Sequence, residues 1–234
     1  MKIEKLTEAN QKKVLTNHKQ YATLSQSAAS TANYLRVTKI SQAVKNKNRA
    51  NIFINDKFAL SLNISQLADT KLKPGQTITE SELAHLKSLS DFGKLYQRTL
   101  EWVLTRPRSI SETRTYLLRK NAENPDQIIE KLTSKNYLND PKFTQYYIEN
   151  RNTKKGISTK RLTQELRAKG IPQQTITQAL AATPRPESEE IQKVIAKKQK
   201  KYQNNPQKLI QYLTAQGFDY QLSATLVRET DSQN

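Results

Sequence analysis

Residues 166–171 of the chain read Leu-Arg-Ala-Lys-Gly-Ile, and residues 213–218 repeat this pattern as Leu-Thr-Ala-Gln-Gly-Phe, 47 residues later. A weaker copy, Leu-Leu-Arg-Lys-Asn, occupies residues 117–121 and begins 49 residues before the first. Self-similarity at a nearly constant period of this length is typical of helical repeat proteins, whose units stack on one another. The chain is therefore predicted to contain three related units.

Each copy of the motif has similar neighbours. A longer stretch with a helical pattern precedes it, and an apolar pair spaced four residues apart follows it: Ile128 with Leu132, Ile176 with Leu180, and Leu222 with Leu226. We therefore predict a mainly α protein of tandem three-helix, helix-turn-helix-like repeats forming an elongated curved body. The predicted repeats are residues 88–140, 141–186 and 187–234.

Local signals for the ends of helices support this interpretation. Thr79–Glu82 and Ser109–Glu112 have the form of capping boxes, in which the first and last side chains satisfy each other's backbone N–H groups. Gly170 and Gly217 suit helix ends that need a positive φ. Three more helix starts are predicted where a polar capping residue precedes proline, at Asn124-Pro125, Asp140-Pro141 and Asn205-Pro206.

The first part of the chain has a different pattern. β-forming residues at 35–44, 52–54 and 58–62 are separated by a polar loop and by the turn Asn55–Lys57, which predicts a small antiparallel meander. We assign residues 34–87 to this meander and to the start of the following helix. Residues 1–33 end in a Ser-, Ala- and Thr-rich segment and are predicted to form a flexible arm.

Composition excludes several classes of protein. The 234 residues contain no cysteine and only two histidines, so disulfides, thiol catalysis and cysteine-based metal sites are excluded. Neither His18 nor His85 has a ligand partner at a suitable spacing, and no phosphate-binding glycine motif is present. We expect no enzyme activity, no catalytic residue, no metal and no cofactor.

Positive charge is concentrated in one region. The chain has 39 Lys and Arg against 21 Asp and Glu, a net charge of +18. Residues 151–202 contain 13 basic and 4 acidic residues, and so carry half of this excess. If residues 188–203 are helical, Lys193, Lys197, Lys200 and Lys201 share one face, while Ile191, Val194 and Ile195 lie elsewhere.

A basic surface of this kind binds a polyanion mainly through phosphate contacts. The alternative is that each lysine simply belongs to a solvated face. Tyrosines 146, 147, 202 and 212 lie among the basic residues and either stack on bases or pack in the core. The predicted binding surface consists of Arg106, Arg108, Arg151, Lys154, Lys155, Lys160, Arg161, Arg167, Lys169, Lys193, Lys197, Lys200 and Lys201.

The order of several short motifs over residues 34–230 resembles the RecX family, bacterial regulators of the RecA recombinase. Residues 52–61 are similar to the β-hairpin region that precedes the repeats in that family. Asn121 departs from the pattern, because it stands where the first repeat usually has glycine. The most specific matches are Arg106–Ser109 with Glu112 and Leu117, Tyr137–Asp140 with Phe143, and Gly156–Ser158 with Leu162, Glu165–Leu166 and Lys169–Ile171.

The resemblance implies binding to the RecA filament on single-stranded DNA. It implies restraint of RecA's ATPase, strand-exchange and coprotease activities, and so a role in DNA repair, homologous recombination and the SOS response. It also implies DNA binding, with single or double strands left open, and offers no catalytic residues. We expect a cytoplasmic monomer without membrane attachment. The alternatives are a general DNA- or RNA-binding protein with helix-turn-helix-like modules, and a scaffold whose charge serves only solubility.

Overall fold

The computed structural model describes residues 35–202 and 204–232. Within these ranges, ten helices accompany a four-stranded antiparallel sheet near the start of the chain, which confirms the predicted mainly α fold with a β-meander. The predicted arm at residues 1–33 lies outside the described residues. The chain divides into two compact units between Lys94 and Leu95.

The sheet has the strand order β3-β2-β1-β4, with every neighbouring pair antiparallel. The β2–β3 hairpin turns through Asn55 and Asp56, whose φ angles of 48° and 64° suit a turn that matches the right-handed twist of strands. Val37, Ile52 and Leu62 are fully buried in the core beneath the sheet. The strands are β1 (Leu35–Gln42), β2 (Arg49–Ile54), β3 (Lys57–Asn63) and β4 (Thr77–Ile78).

A short helix, α1 (Ile64–Thr70), follows β3 and was not predicted. The side chain of Gln66 holds it in place: Oε1 accepts from the backbone N–H of Asn63 at 3.1 Å, and Nε2 donates to the carbonyl of Leu89 at 2.8 Å. Two turns of helix are too short to show a convincing 3.6-residue period in a sequence, so contact with the neighbouring element decides this structure.

The remaining helices form three groups, α2–α4, α5–α7 and α8–α10. Leu117, Leu166 and Leu213, which anchor the three copies of the motif, are each 0% exposed. The predicted boundary at residue 88 falls inside the unbroken helix α2. The bounds are α2 (Glu80–Leu104), α3 (Ile110–Arg119), α4 (Pro125–Ser134), α5 (Asp140–Asn150), α6 (Thr159–Ala168), α7 (Gln173–Ala182), α8 (Glu187–Tyr202), α9 (Pro206–Ala215) and α10 (Tyr220–Ser232).

Most of the predicted helix ends are confirmed. Both capping boxes form, with Glu82 N–H donating to Thr79 Oγ1 at 3.2 Å and Glu112 N–H donating to Ser109 Oγ at 3.0 Å. Asn205 caps α9 by accepting from the N–H of Lys208. Gly170 and Gly217 adopt φ angles of 76° and 91°, and Asn121 takes the same left-handed region at 54°.

Two of the predicted side-chain caps do not form, at Asp140 and at Asn124. Asp140 does not cap α5, because the preceding Asn139 accepts from the N–H of Lys142 at 2.9 Å and takes that position. The carboxylate of Asp140 instead accepts from the backbone N–H of Ile110, 30 residues earlier. Asn124 stands at the N-cap of α4, but its side chain makes no capping bond.

Candidate nucleic-acid interface

The predicted basic residues differ in how much of their charge is compensated by other groups in the protein. Helix α8 buries Ile191, Val194 and Ile195, as its pattern predicted. Seven of the thirteen predicted residues have exposed side chains and no ion pair inside the described ranges: Lys154, Lys155, Lys160, Arg167, Lys197, Lys200 and Lys201. These residues come from the α5–α6 loop, α6 and α8, which belong to the second and third repeats.

Arg151 is tied into a polar cluster. Its Nε and Nη2 donate to the two carboxylate oxygens of Glu165 at 2.7 and 2.9 Å, and the Tyr147 hydroxyl donates to the same carboxylate at 2.6 Å. The bonds from Arg151 lower the pKa of Glu165 to about 2. Burial, together with the bond to Glu165, raises the pKa of Tyr147 to about 12. The charge of Arg151 is therefore already matched by a carboxylate.

Three other predicted cations also have carboxylate partners. Arg106 and Lys169 both contact Glu112 Oε1, at 3.2 and 3.1 Å. Lys193 contacts Oε1 of the buried Glu190 at 2.7 Å. Their participation in a binding surface stays a prediction, and each would have to share its charge with an internal partner.

Arg108 lies against aromatic rings. Its guanidinium carbon is 3.8 Å from the centroid of Trp102, which in turn stacks on Tyr116 with a centroid separation of 4.2 Å. Burial lowers the pKa of this guanidinium, and the nearby charge of Arg106 lowers it further. The Trp102–Tyr116 stack packs α2 against α3, and the cation–π contact holds Arg108, in the loop between these helices, against Trp102.

The second and third repeats meet at what we call the second junction. Ser158, the N-cap of α6, donates its hydroxyl to the carbonyl of Gln216 at 2.7 Å. The backbone N–H of Ile157 donates to Glu190 Oε2 at 2.9 Å. Arg185 binds both oxygens of Glu190 and also donates to the carbonyls of Ile148 and Arg151. Burial opposes ionisation of Glu190, but these donors and Lys193 outweigh it and lower its pKa.

The first junction, between the first and second repeats, uses the same contacts. Ser109, the N-cap of α3, donates to the carbonyl of Lys169 at 2.7 Å. Asp140, in the first turn of α5, accepts from the N–H of Ile110 at 2.9 Å. Each junction therefore has two joining bonds. A capping serine of one repeat donates to a carbonyl at the end of the next repeat's second helix. A carboxylate in the first turn of that next repeat accepts from a backbone N–H beside the serine.

A cleft of about 470 Å³ opens at the second junction, and we call it the junction cleft. Four of its lining residues are basic: Lys155, Arg161, Lys197 and Lys198. The lining contains no carboxylate-bearing residue. The cleft is completed by Asn152, Gly156, Ile157, Ser158, Val194, Tyr212, Gln216 and Phe218.

Arg161 spans the two sides of this cleft. Its Nη1 donates to the side-chain oxygen of Gln216, and its Nε lies 3.5 Å from Glu165, which Arg151 already binds with two shorter bonds. Lys198 lies over the Tyr212 ring at 5.5 Å from its centroid. The cleft thus combines positive charge with an aromatic wall.

The four tyrosines take different positions. Tyr146 is 46% exposed, whereas Tyr147 is held by Glu165 as described above. Tyr202 and Tyr212 pack against each other at 5.9 Å and against the core of the third repeat. Of the four, Tyr212 lines the junction cleft.

Several lining residues of the cleft were not in the predicted surface. Lys198, Gln216 and Asn152 join it because the second junction places three separate segments together. Arg185, which holds the buried Glu190, was also missed. One signal in the sequence could have identified the two junction carboxylates: Asp140 and Glu190 both stand in the first turn of the helix that begins a repeat.

Other classes of site find no support in the described ranges. No group of three His, Asp or Glu residues there could hold a metal ion. None of the helices within residues 35–202 and 204–232 has both the length and the apolar content needed to span a membrane.

Comparison with known proteins places the chain in a family. A family model described as "Regulatory protein RecX N-terminal domain" matches residues 35–79, and another described as "RecX, second three-helix domain" matches residues 139–180. A protein of Bacillus velezensis named "Regulatory protein RecX" is 32% identical over 210 residues, covering 85% of this chain and 78% of that protein. The chain belongs to the RecX family of regulatory proteins.

Further RecX proteins agree with this assignment. The RecX of Bacillus licheniformis is 27% identical over 85% of this chain and 78% of its own length. A crystal structure of a regulatory protein RecX superposes with a TM-score of 0.68 at 27% identity, over 86% of this chain and 100% of that one. The crystal structure of RecX from Lactobacillus salivarius matches in fold, with a TM-score of 0.51 and 24% identity over 60% and 97% of the two chains.

Proposed function

We propose that this RecX-family chain binds the RecA filament on single-stranded DNA and restrains RecA's ATP hydrolysis, strand exchange and coprotease activity. Membership of the family carries the proposal. The exposed cations of the second and third repeats support it, since a nucleoprotein filament is a polyanion and binds such surfaces by releasing counterions. In this proposal the chain regulates DNA repair and recombination and catalyses nothing itself.

The test is RecA's DNA-dependent ATPase. RecA of the same source is mixed with single-stranded DNA and ATP, and the chain is added below the RecA concentration. We expect the rate of ATP hydrolysis to fall, together with the yield of strand exchange and of coprotease cleavage. Unchanged ATP hydrolysis at every ratio, despite tight binding to bare DNA, would overturn the proposal in favour of a general DNA- or RNA-binding protein.

A matched pair of charge variants tests the role of the basic surface in this function. Reversing Lys197, Lys200 and Lys201 to Glu should weaken inhibition and reduce its dependence on salt. The control reverses three exposed lysines of the first unit, Lys45, Lys47 and Lys73, which alters net charge equally. Equal loss of inhibition in both variants would show that net charge matters and that the position of the lysines does not.

A further inference from the structure

The two junctions have the same joining bonds but different charges around them. Three residues after the capping serine, the first junction has Glu112 and the second has Arg161. The residue whose carbonyl accepts from that serine is Lys169 in the first and Gln216 in the second. Seven residues after the junction carboxylate, the first has Tyr147 and the second has Lys197.

In the first junction, these differences place a carboxylate beside the positive charge. Lys169 Nζ lies 3.1 Å from Glu112 and 5.4 Å from the centroid of the Tyr147 ring. In the second junction, Lys155 and Lys197 have no carboxylate within ion-pair distance in the described part of the chain, and Arg161 shares Glu165 with Arg151. Arg161 also donates to Gln216 across the second junction, but Lys155 and Lys197 make no bond between the repeats among the described residues, so their charge is not used to join them.

From this contrast we infer that the junction cleft is a binding site for single-stranded nucleic acid. It holds a phosphodiester between Lys155, Arg161 and Lys197, and a base stacks on Tyr212 in place of the Lys198 ammonium that lies over the ring. Lys155 and Lys197 have no competing carboxylate in the described ranges and so favour a phosphate, to which Arg161 adds a charge that it shares with Glu165. An aromatic side chain beside them is the usual arrangement for single strands, whose bases are free to stack on a ring. The inference rests on the proposed function only for the source of the strand, which would be the DNA of the filament.

The size of the cleft favours a single strand over a duplex. A volume of about 470 Å³ lies in the range of sites that enclose one small ligand, and so it has room for a nucleotide unit. A duplex is read by elements that protrude into its grooves, whereas a recessed site suits bases that can be splayed out of a flexible strand. Sequence preference is not expected, since neither phosphate contacts nor stacking identifies a base.

The charge arm of the test uses bare DNA without RecA. Binding of a fluorescently labelled oligothymidylate is measured by anisotropy at several salt concentrations for a Lys155→Gln/Lys197→Gln variant. We expect about a tenfold weaker affinity at low salt and a salt slope reduced by about 1.4, since each phosphate contact to a single strand contributes about 0.7. The matched control, Lys135→Gln/Lys142→Gln, removes the same charge from two exposed positions outside both the cleft and the predicted binding surface, and should change affinity by no more than about twofold.

The stacking arm uses Tyr212. Replacement by Leu should weaken binding about tenfold while leaving the salt slope unchanged, because stacking releases no counterions, and replacement by Phe should keep the affinity. Thermal unfolding followed by circular dichroism establishes whether each variant remains folded. A Leu variant that stays folded with unaltered affinity would overturn the stacking role of Tyr212.

Three results would overturn the phosphate site. The control could weaken binding as much as the cleft variant, so that only net charge matters. The cleft variant could lose affinity for a duplex of the same length by the same factor, so that the site does not select single strands. The cleft variant could also keep its affinity for oligothymidylate and lose only its binding to the RecA filament, which would mean that the cleft binds an acidic protein surface instead of DNA. RecA inhibition by the unsubstituted chain tests the proposed function separately from all three.

Discussion

The close approach of Gly170 to Ser111 at the first junction leads to a specific stability prediction. Gly170 has φ +76°, and a Cβ placed on it would lie 2.4 Å from Ser111 Cβ, where ordinary contact begins at 3.4 Å. In Gly170→Ala the left-handed backbone costs about 1–2 kcal/mol. Separating the two repeats by about 1 Å, or distorting both backbones, costs about 1–3 kcal/mol more. We therefore expect Gly170→Ala to lower the free energy of unfolding by about 2–5 kcal/mol.

A second substitution distinguishes these two contributions. Without its own side chain, residue 111 would present only its Cα to the new methyl group, at a comfortable 3.8 Å. Ser111→Gly should therefore recover about 1–3 kcal/mol of the loss in Gly170→Ala, after its own effect of about 1 kcal/mol is subtracted. Ser111→Ala removes Oγ, which would lie 2.6 Å from the new methyl group, but keeps the closer Cβ, and should recover much less than Ser111→Gly.

The assay is urea-induced unfolding followed by the fluorescence of Trp102, the single tryptophan, which belongs to the second compact unit. The double-mutant cycle gives the coupling between the two positions directly. Equal recovery by Ser111→Gly and Ser111→Ala, or recovery by neither, would refute the contact between these repeats as the reason for glycine at position 170.

Three further predictions concern stability and its dependence on pH. Because Arg151 lowers the pKa of Glu165 to about 2, the ionised carboxylate stabilises the fold above about pH 4.5, and this contribution is lost as the pH falls towards 2. Glu165→Gln should lower the free energy of unfolding by about 1–2 kcal/mol at pH 7 and make that free energy fall less steeply in acid. Urea unfolding at a series of pH values measures both effects. Glu190→Gln removes the partner of Arg185, whose side chain is 11% exposed, and should lower the free energy of unfolding by about 3–5 kcal/mol; a loss below about 1 kcal/mol would contradict the importance of this buried pair. Asn121→Gly places glycine at φ +54° and should raise the midpoint of thermal unfolding, with a gain of about 0.5–1 kcal/mol; a fall in the midpoint would show that the asparagine side chain has a stabilising role.

Local signals in the sequence predicted most helix ends because those signals act over three or four residues. The Thr79–Glu82 and Ser109–Glu112 capping boxes form as expected, and Gly170 and Gly217 take the left-handed conformation. The same reasoning misassigned Asp140, since two adjacent polar residues could both cap α5. Asn139 caps the helix, which leaves the Asp140 carboxylate to bind the preceding repeat.

The predicted basic surface illustrates a different limit. A charge count treats Arg151, Lys169 and Lys193 like Lys155 and Lys197, although the first three have carboxylate partners in the fold. The partners of Arg151 and Lys169 lie 14 and 57 residues away in the chain. A pattern within one helix cannot indicate such pairs, because the distance between the charges depends on how the repeats stack.

The sequence by itself determined the three-helix repeats, the β-meander and the excess of positive charge in residues 151–202, because periodicity, capping and composition are local properties. Only the tertiary structure decided which of those charges are free to bind a ligand. The second junction brings Lys155 and Arg161 to Lys197 and Tyr212, residues that are up to 57 positions apart in the chain, and leaves them without a carboxylate in the cleft. The first junction, with the same joining bonds, places Glu112 beside Lys169 and is neutralised.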